Sequence, residues 1–176
     1  MAELGIPWGA PDKVELTELS PARQIGLRLR PPFPAYLAGL PLPLEPNRTA
    51  AMGPTRTLWL GPDEWLVVVE GDAPDLLPRL ERAVAARRAA VTDLSSSRAI
   101  IQIAGPQARA LLETGCGLDL HPRAFRTGQC AQTLFARVPV ILDQVSDAPG
   151  YRMLVRRSYA RWLCAVLIDA AQGQED

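Results

Sequence analysis

The sequence predicts an α+β fold made of duplicated strand-turn-strand-helix units with antiparallel sheets, and three observations carry that expectation. The first is Arg98–Ala104, where Ile100, Ile101 and Ile103 form a β-branched run suited to a buried pleated surface. Gly105-Pro106 then removes a ladder donor and fixes φ, and Ala108, Leu111 and Leu112 fall on one helical face. The second is a pair of apolar runs, 56–60 and 65–70, flanking the turn Gly61-Pro62-Asp63-Glu64. A helical pattern over 74–88 follows it. The third is the return of this order near the end of the chain, with strands at 138–145 and 151–157 before a strongly amphipathic helix.

The elements can be justified in chain order. Residues 1–13 carry Pro7, Trp8, Gly9 and Pro11, a composition read as a flexible arm unable to sustain a ladder. Within 14–30, Ile25, Leu27 and Leu29 alternate with Gly26, Arg28 and Arg30, the period of a half-buried strand. Pro31-Pro32-Phe33-Pro34 and Pro41-Leu-Pro43-Leu-Glu-Pro46 then favour extended or polyproline backbone over regular elements. In the 74–88 helix, Leu76, Leu77, Leu80 and Val84 mark the inner face, with arginines opposite. Gly115 and Gly117 are expected to stop the helix after Gly105-Pro106 by adopting left-handed backbone. A strand is expected at 129–136. Ser158 is the expected N-cap of the last helix, whose stripe Tyr159, Trp162, Leu163, Val166, Leu167 and Ala170 is expected to be core. One domain is expected over 14–173, with repeats at about 14–90 and 91–173.

At 176 residues the chain can bury one core. Its 48% hydrophobic and 22% charged residues describe a soluble globular protein. Lys+Arg 19 balance Asp+Glu 19, so no net field recruits nucleic acid or an anionic membrane. Cys116, Cys130 and Cys164 are odd in number and widely spaced, which argues against a disulfide framework and a zinc site and fits a reducing cytoplasm. No targeting or membrane-spanning pattern is evident.

Chemistry is sparse. His121 is the only histidine, which excludes a spare for a Ser-His-Asp relay and a histidine-rich metal site, and its position before Pro122 suits an exposed or structural role. Gly-x-Gly occurs only at Gly115-Cys-Gly117, after a helix, so neither a dinucleotide nor a phosphate loop is present. Asp93, before Ser95-Ser96-Ser97, is suited to an Asx turn or to a cleft as a general base. Arg98 is either an exposed charge or a bidentate carboxylate ligand. These three positions, Asp93, Ser95 and Arg98, are the cleft candidates. Trp8, Phe33 and Tyr36 are the interface candidates, because aromatic anchors on extended, proline-rich segments dock with little loss of entropy.

The order Asp93-Leu-Ser, strand, Gly-Pro-x-Ala, helix, followed by Cys116-Gly-Leu-Asp-Leu120, Phe125 and Gly128-Gln-Cys130, resembles the gamma-subunit family of heterotetrameric sarcosine oxidases. That family belongs with the folate-binding fold of the aminomethyltransferases, or glycine-cleavage T-proteins. The resemblance covers about 14–171 and is best at 59–69, 93–112, 116–130 and 151–163. It implies a non-catalytic subunit that stabilises larger flavin- and folate-bearing partners, with FAD, FMN, NAD and tetrahydrofolate on those partners and none on this chain. The complex would demethylate sarcosine to glycine, passing the one-carbon unit to tetrahydrofolate and forming hydrogen peroxide. Where aminomethyltransferases place an Asp-Asp-Leu, the matching positions here are Val140 and Ile141, which supply neither acid nor base. Asp143 lies near, but needs a register slip to take their place. The alternatives are an autonomous folate-dependent aminomethyltransferase, which requires that carboxylate, and a free-standing ligand-binding module.

Overall fold

The computed structural model describes residues 8–10, 12–20, 22–71 and 73–173. In chain order the strands and helices are β1 (Trp8–Ala10), β2 (Val14–Glu18), β3 (Ala22–Leu29), β4 (Tyr36–Leu37), β5 (Leu40–Pro41), β6 (Thr49–Met52), β7 (Thr55–Gly61), β8 (Glu64–Glu70) and α1 (Leu76–Val84). They continue with β9 (Ala89–Asp93), β10 (Arg98–Ala104), α2 (Ala108–Glu113), β11 (Cys130–Phe135), β12 (Val138–Ser146), β13 (Gly150–Arg156) and α3 (Arg157–Gln172). The chain divides into two compact units. One is Ser20–Ser96; the other joins the segment up to Leu19 with everything from Ser97.

In the Ser20–Ser96 unit the sheet runs β6-β7-β8-β3-β9, every pair antiparallel. Ile25, Leu27 and Leu29 of β3 point with Trp65, Val67 and Val69 of β8 into one cluster, which Leu76, Leu80 and Val84 of α1 cover. The period-2 and period-3.6 patterns meet there. The helix is shorter than the 74–88 expected, because the chain must turn to place Ala89 in β9, and Arg87 N–H closes that turn on the Val84 carbonyl at 2.8 Å. The proline-rich stretch is not wholly irregular: β4 and β5 form a two-residue ladder, and Leu37, Leu40 and Leu42 join the core.

In the other unit the sheet runs β1-β2-β10-β13-β12-β11, again antiparallel throughout. Val14 and Leu16 belong to the core of this unit, so the expected boundary near residue 90, with 14–90 as one repeat, differs from the observed division. The 14–30 segment is two strands in different sheets. The reason lies in pairing: β2 supplies the strand beside β10, as β9 supplies the strand beside β3. The expected arm of residues 1–13 is likewise partly ordered, since Trp8–Ala10 pairs with Val14–Leu16; residues 1–7 and Pro11 lie outside the described residues.

Three helix-end expectations change. Gly115 and Gly117 do not adopt left-handed backbone, and α2 ends through turns that place Gly115 N–H and Cys116 N–H on the Leu112 carbonyl. Gly115 is needed for space instead: a Cβ there would lie 2.9 Å from Phe135 Cζ. Ser158 is not the cap of α3, which begins at Arg157 without a side-chain cap; Arg157 N–H, one of the orphan donors, reaches the Ser97 carbonyl at 3.1 Å. The buried stripe of α3 is Ala160, Leu163, Cys164, Leu167 and Ala171, one residue later than expected. Tyr159 and Trp162 are 45% and 51% exposed. Leu163 and Leu167 belong to both stripes, and the sheet takes the one whose small residues let the helix approach closely.

Candidate functional site

The register of the second sheet builds a hollow on the face opposite the one that carries Ile101, Met153 and Val155. Ile100 pairs with Leu154, Leu154 with Ile141 and Ile141 with Gln132, making an apolar row that ends in an amide. The next row starts with Arg98 opposite Arg156 and ends with Pro139 opposite Leu134. Arg156 lies one residue beyond the Val140–Val155 pair and so falls beside Pro139. Between these rows is a hollow of about 370 Å³. Ile141 and Leu154 form a buried floor, Arg98 is half-buried, and Arg156, Gln132 and Leu134 are exposed.

Its chemistry follows from that lining. Among the described residues around the hollow are two arginines but no carboxylate, histidine or cysteine, so it can hold an anion and cannot move a proton near neutral pH. Val140 and Ile141 both line it, and both are buried. Asp143 is on the same face as Ile141, two residues along β12. Relative to Ile141 the two-residue offset keeps the face, whereas relative to Val140 the three-residue offset flips it, as expected; about 7 Å of strand and its own burial, at 1% exposed, also separate Asp143 from Ile141. At Val140 and Ile141 themselves a pterin amide would meet hydrocarbon and no carboxylate.

Asp93 and Ser95 form the Asx turn. Ser95 N–H and Oγ donate to Asp93 Oδ1 at 2.9 and 2.6 Å, and Gln24 N–H donates to Ser95 Oγ at 3.0 Å. These Ser95 hydrogen bonds, joined by the Arg23 guanidinium 3.4 Å from Oδ2, hold the Asp93 carboxyl below its usual range. A carboxylate so engaged is a loop clasp and a poor base. Both residues belong to the Ser20–Ser96 unit, whereas Arg98 belongs to the other.

The interface candidates also separate. Trp8 is half-buried against the core of its unit. Phe33 sits edge-on to Trp65, with centroids 5.3 Å apart, and Trp65 Nε1–H donates to the Pro43 carbonyl at 2.7 Å. Tyr36 alone of the three is widely exposed, at 67%. Sequence reasoning missed Leu134, 52% exposed, although strand parity places it opposite inward-facing Phe135. His121 is exposed in a turn, its Nδ1 accepting from Arg123 N–H. The three cysteines are free and buried, and burial pushes the Cys164 thiol up to about 11, with Glu18 adding to the effect.

Residues 34–173 match the family described as Sarcosine oxidase, gamma subunit family. Sarcosine oxidase subunit gamma of Corynebacterium sp. (strain U-96) is 36% identical over 163 residues, covering 89% of this chain and 78% of the relative. Its counterpart in Arthrobacter sp. is 32% identical over 168 residues, covering 90% and 82%. Among solved structures, a chain of the heterotetrameric sarcosine oxidase of Corynebacterium sp. U-96, in complex with pyrrole 2-carboxylate, superposes with TM-score 0.86 at 35% identity, covering 94% of this chain and 87% of that one. Aminomethyltransferase T of the glycine cleavage system of Bartonella henselae shares the fold at TM-score 0.65 and 16% identity, covering 87% of this chain and 45% of that one.

Proposed function

The chain belongs to the sarcosine oxidase gamma subunit family, and from that premise we propose that it is the non-catalytic scaffold of a heterotetrameric enzyme, holding its larger subunits in their active arrangement. On this reading the partners carry FAD, FMN, NAD and tetrahydrofolate, and the complex works in the cytoplasm, converting sarcosine to glycine with one-carbon transfer to tetrahydrofolate. The observation that carries the scaffold reading is the hollow itself, lined by Val140 and Ile141 and by no carboxylate among the described residues, at the positions where the resemblance would place the acids of the transferases. An acid-free, apolar floor can position a neighbour but cannot activate water or an amine. Trp8, Phe33 and Tyr36 remain contact candidates, with Tyr36 the most available.

Co-expression with the larger subunits, followed by size exclusion and a peroxide assay with sarcosine, tests the proposal. The chain is expected to travel with a yellow complex, and the singly expressed chain to be colourless and inactive. A chain that elutes alone while the remaining subunits keep full activity refutes it.

A further inference from the structure

The five-stranded sheet of the Ser20–Ser96 unit ends on β9, and no described strand pairs with the outer side of that strand. The ladder with β3 fixes which backbone groups are left over. Arg30 N–H donates to the Arg88 carbonyl at 3.2 Å and Leu94 N–H to the Gln24 carbonyl at 2.8 Å, so the hydrogen-bonded positions along β9 are the even-numbered ones. The N–H and C=O groups of Ala89 and Val91 therefore point away from β3, and no hydrogen bond to a described residue takes them up. Ala90, Thr92 and Asp93 are exposed, and Ala89 and Val91 are half-buried, so the strand is open to a neighbour along its length. It also lacks the usual guards of an edge: its interior, Ala90-Val91-Thr92, has no charge, no proline and no bulge.

Positive charge gathers at one end of this edge. Arg28, Arg30 and Arg88 line an open hollow of about 900 Å³ beside Ala89 and Ala90. Arg28 is held by Asp63 at 3.4 Å and by Glu64 at 2.7 Å. Arg30 and Arg88 are exposed, lie opposite each other across the ladder, and have no acidic partner among the described residues. The other edge of the sheet, β6, differs: Arg48 beside it is paired with Glu45, and Arg56 donates to Thr49 Oγ1. Resting on the subunit reading above, we infer that β9 receives an extended acidic segment of a larger subunit as a further strand of this sheet. The segment's backbone pairs with Ala89 and Val91, and its carboxylate lies on Arg30 and Arg88, where the hydrogen bonds are charge-assisted. About five residues of extended chain, spanning about 17 Å, match the strand.

The test uses the intact complex with Arg88→Glu and Ala89→Pro as separate variants and Arg88→Lys as the conservative control. Each is expected to fold: Arg88→Glu sets opposite charges across from each other, and proline at the first residue of an edge strand removes only an N–H that points outward. Dissociation on dilution, followed by size exclusion at 0.1 and 0.5 M salt, is expected to show about a tenfold weaker complex for Arg88→Glu and for Ala89→Pro. Arg88→Lys is expected to stay within about threefold of the parent, and the salt dependence to fall in Arg88→Glu alone. Hydrogen exchange, which needs no variant, is expected to be about tenfold slower at the Ala89 and Val91 amides in the complex than in the singly expressed chain. Full retention of both variants, beside a parent chain that co-elutes, overturns this inference and leaves the subunit reading standing, as does unchanged exchange at the two amides. A parent chain that never co-elutes overturns both. A singly expressed chain that elutes as a dimer, broken by Ala89→Pro, overturns the assignment in favour of a second copy on the same edge.

Discussion

Leu163→Ala and Trp162→Ala, neighbours on α3, separate the observed packing from the one the hydrophobic pattern suggests. Leu163 is 0% exposed within the core cluster, so truncation forfeits about three methylene equivalents at about 0.8 kcal/mol each. A residual void of about 40 Å³, at about 24 cal/mol per Å³, adds about 1 kcal/mol. The expected cost is therefore about 3–4 kcal/mol. Trp162 is 51% exposed; water fills the space its ring vacates, no sealed void forms, and about 1 kcal/mol remains. Urea denaturation of the full-length chain reads the difference directly. With an m-value of about 2 kcal/mol/M, the Leu163→Ala midpoint falls by about 1.5–2 M and that of Trp162→Ala by about 0.5 M. Equal midpoints, or a greater loss for Trp162→Ala, would refute the placement of α3.

Tyr151 is 0% exposed and its hydroxyl has no hydrogen-bond partner among the described residues, so Tyr151→Phe is expected to be neutral or to raise the melting temperature slightly. Gly105 has φ +110° and a Cβ there would lie 2.6 Å from the Lys13 carbonyl oxygen; Gly105→Ala is expected to cost about 2–3 kcal/mol in chemical denaturation. Because burial raises the Cys164 thiol to about 11, the folded state keeps a proton that the unfolded chain releases from about pH 9. Its contribution to stability is thus intact below pH 9 and lost as pH rises toward 11, and a thiol reagent at pH 8 is expected to label Cys164 only after denaturation. Starting the chain at residue 14 keeps Val14 and Leu16 in the core, whereas starting at residue 20 removes β2 and exposes the edge of β10; circular dichroism is expected to show a folded first variant and a disrupted second.

Local signals read well where one physical cause dominates. Arg98–Ala104 is legible to the residue, because a β-branched run ends at a glycine-proline pair that can neither donate nor continue. The hairpin strands β7 and β8 are legible within a residue or so for the same kind of reason. Pairing partners are not written locally. Nothing in Val14–Glu18 distinguishes a strand that adds to β10 from one that continues into β3, since both demand the same alternation. The short strands β6 and β9 escape because Thr49–Met52 and Ala89–Asp93 are rich in alanine and threonine and no residue in them is fully buried, with only Ala89 and Val91 of β9 packing on the core, too few apolar positions to show a period.

The candidate site obeys the same division. Asp93 and Ser95 were legible as a turn, because an Asx turn needs only two residues of separation. The reading of Val140 and Ile141 as standing at carboxylate positions rests on the resemblance and not on any local pattern. The arginine pair was not, since Arg98 and Arg156 are 58 positions apart and meet only through the β10–β13 register. Once that register is known, parity alone carries the row on past Pro139 to Leu134. Partners fixed by register, here Arg98 with Arg156 and Pro139 with Leu134, are therefore the part of a sheet surface that only the paired strands reveal.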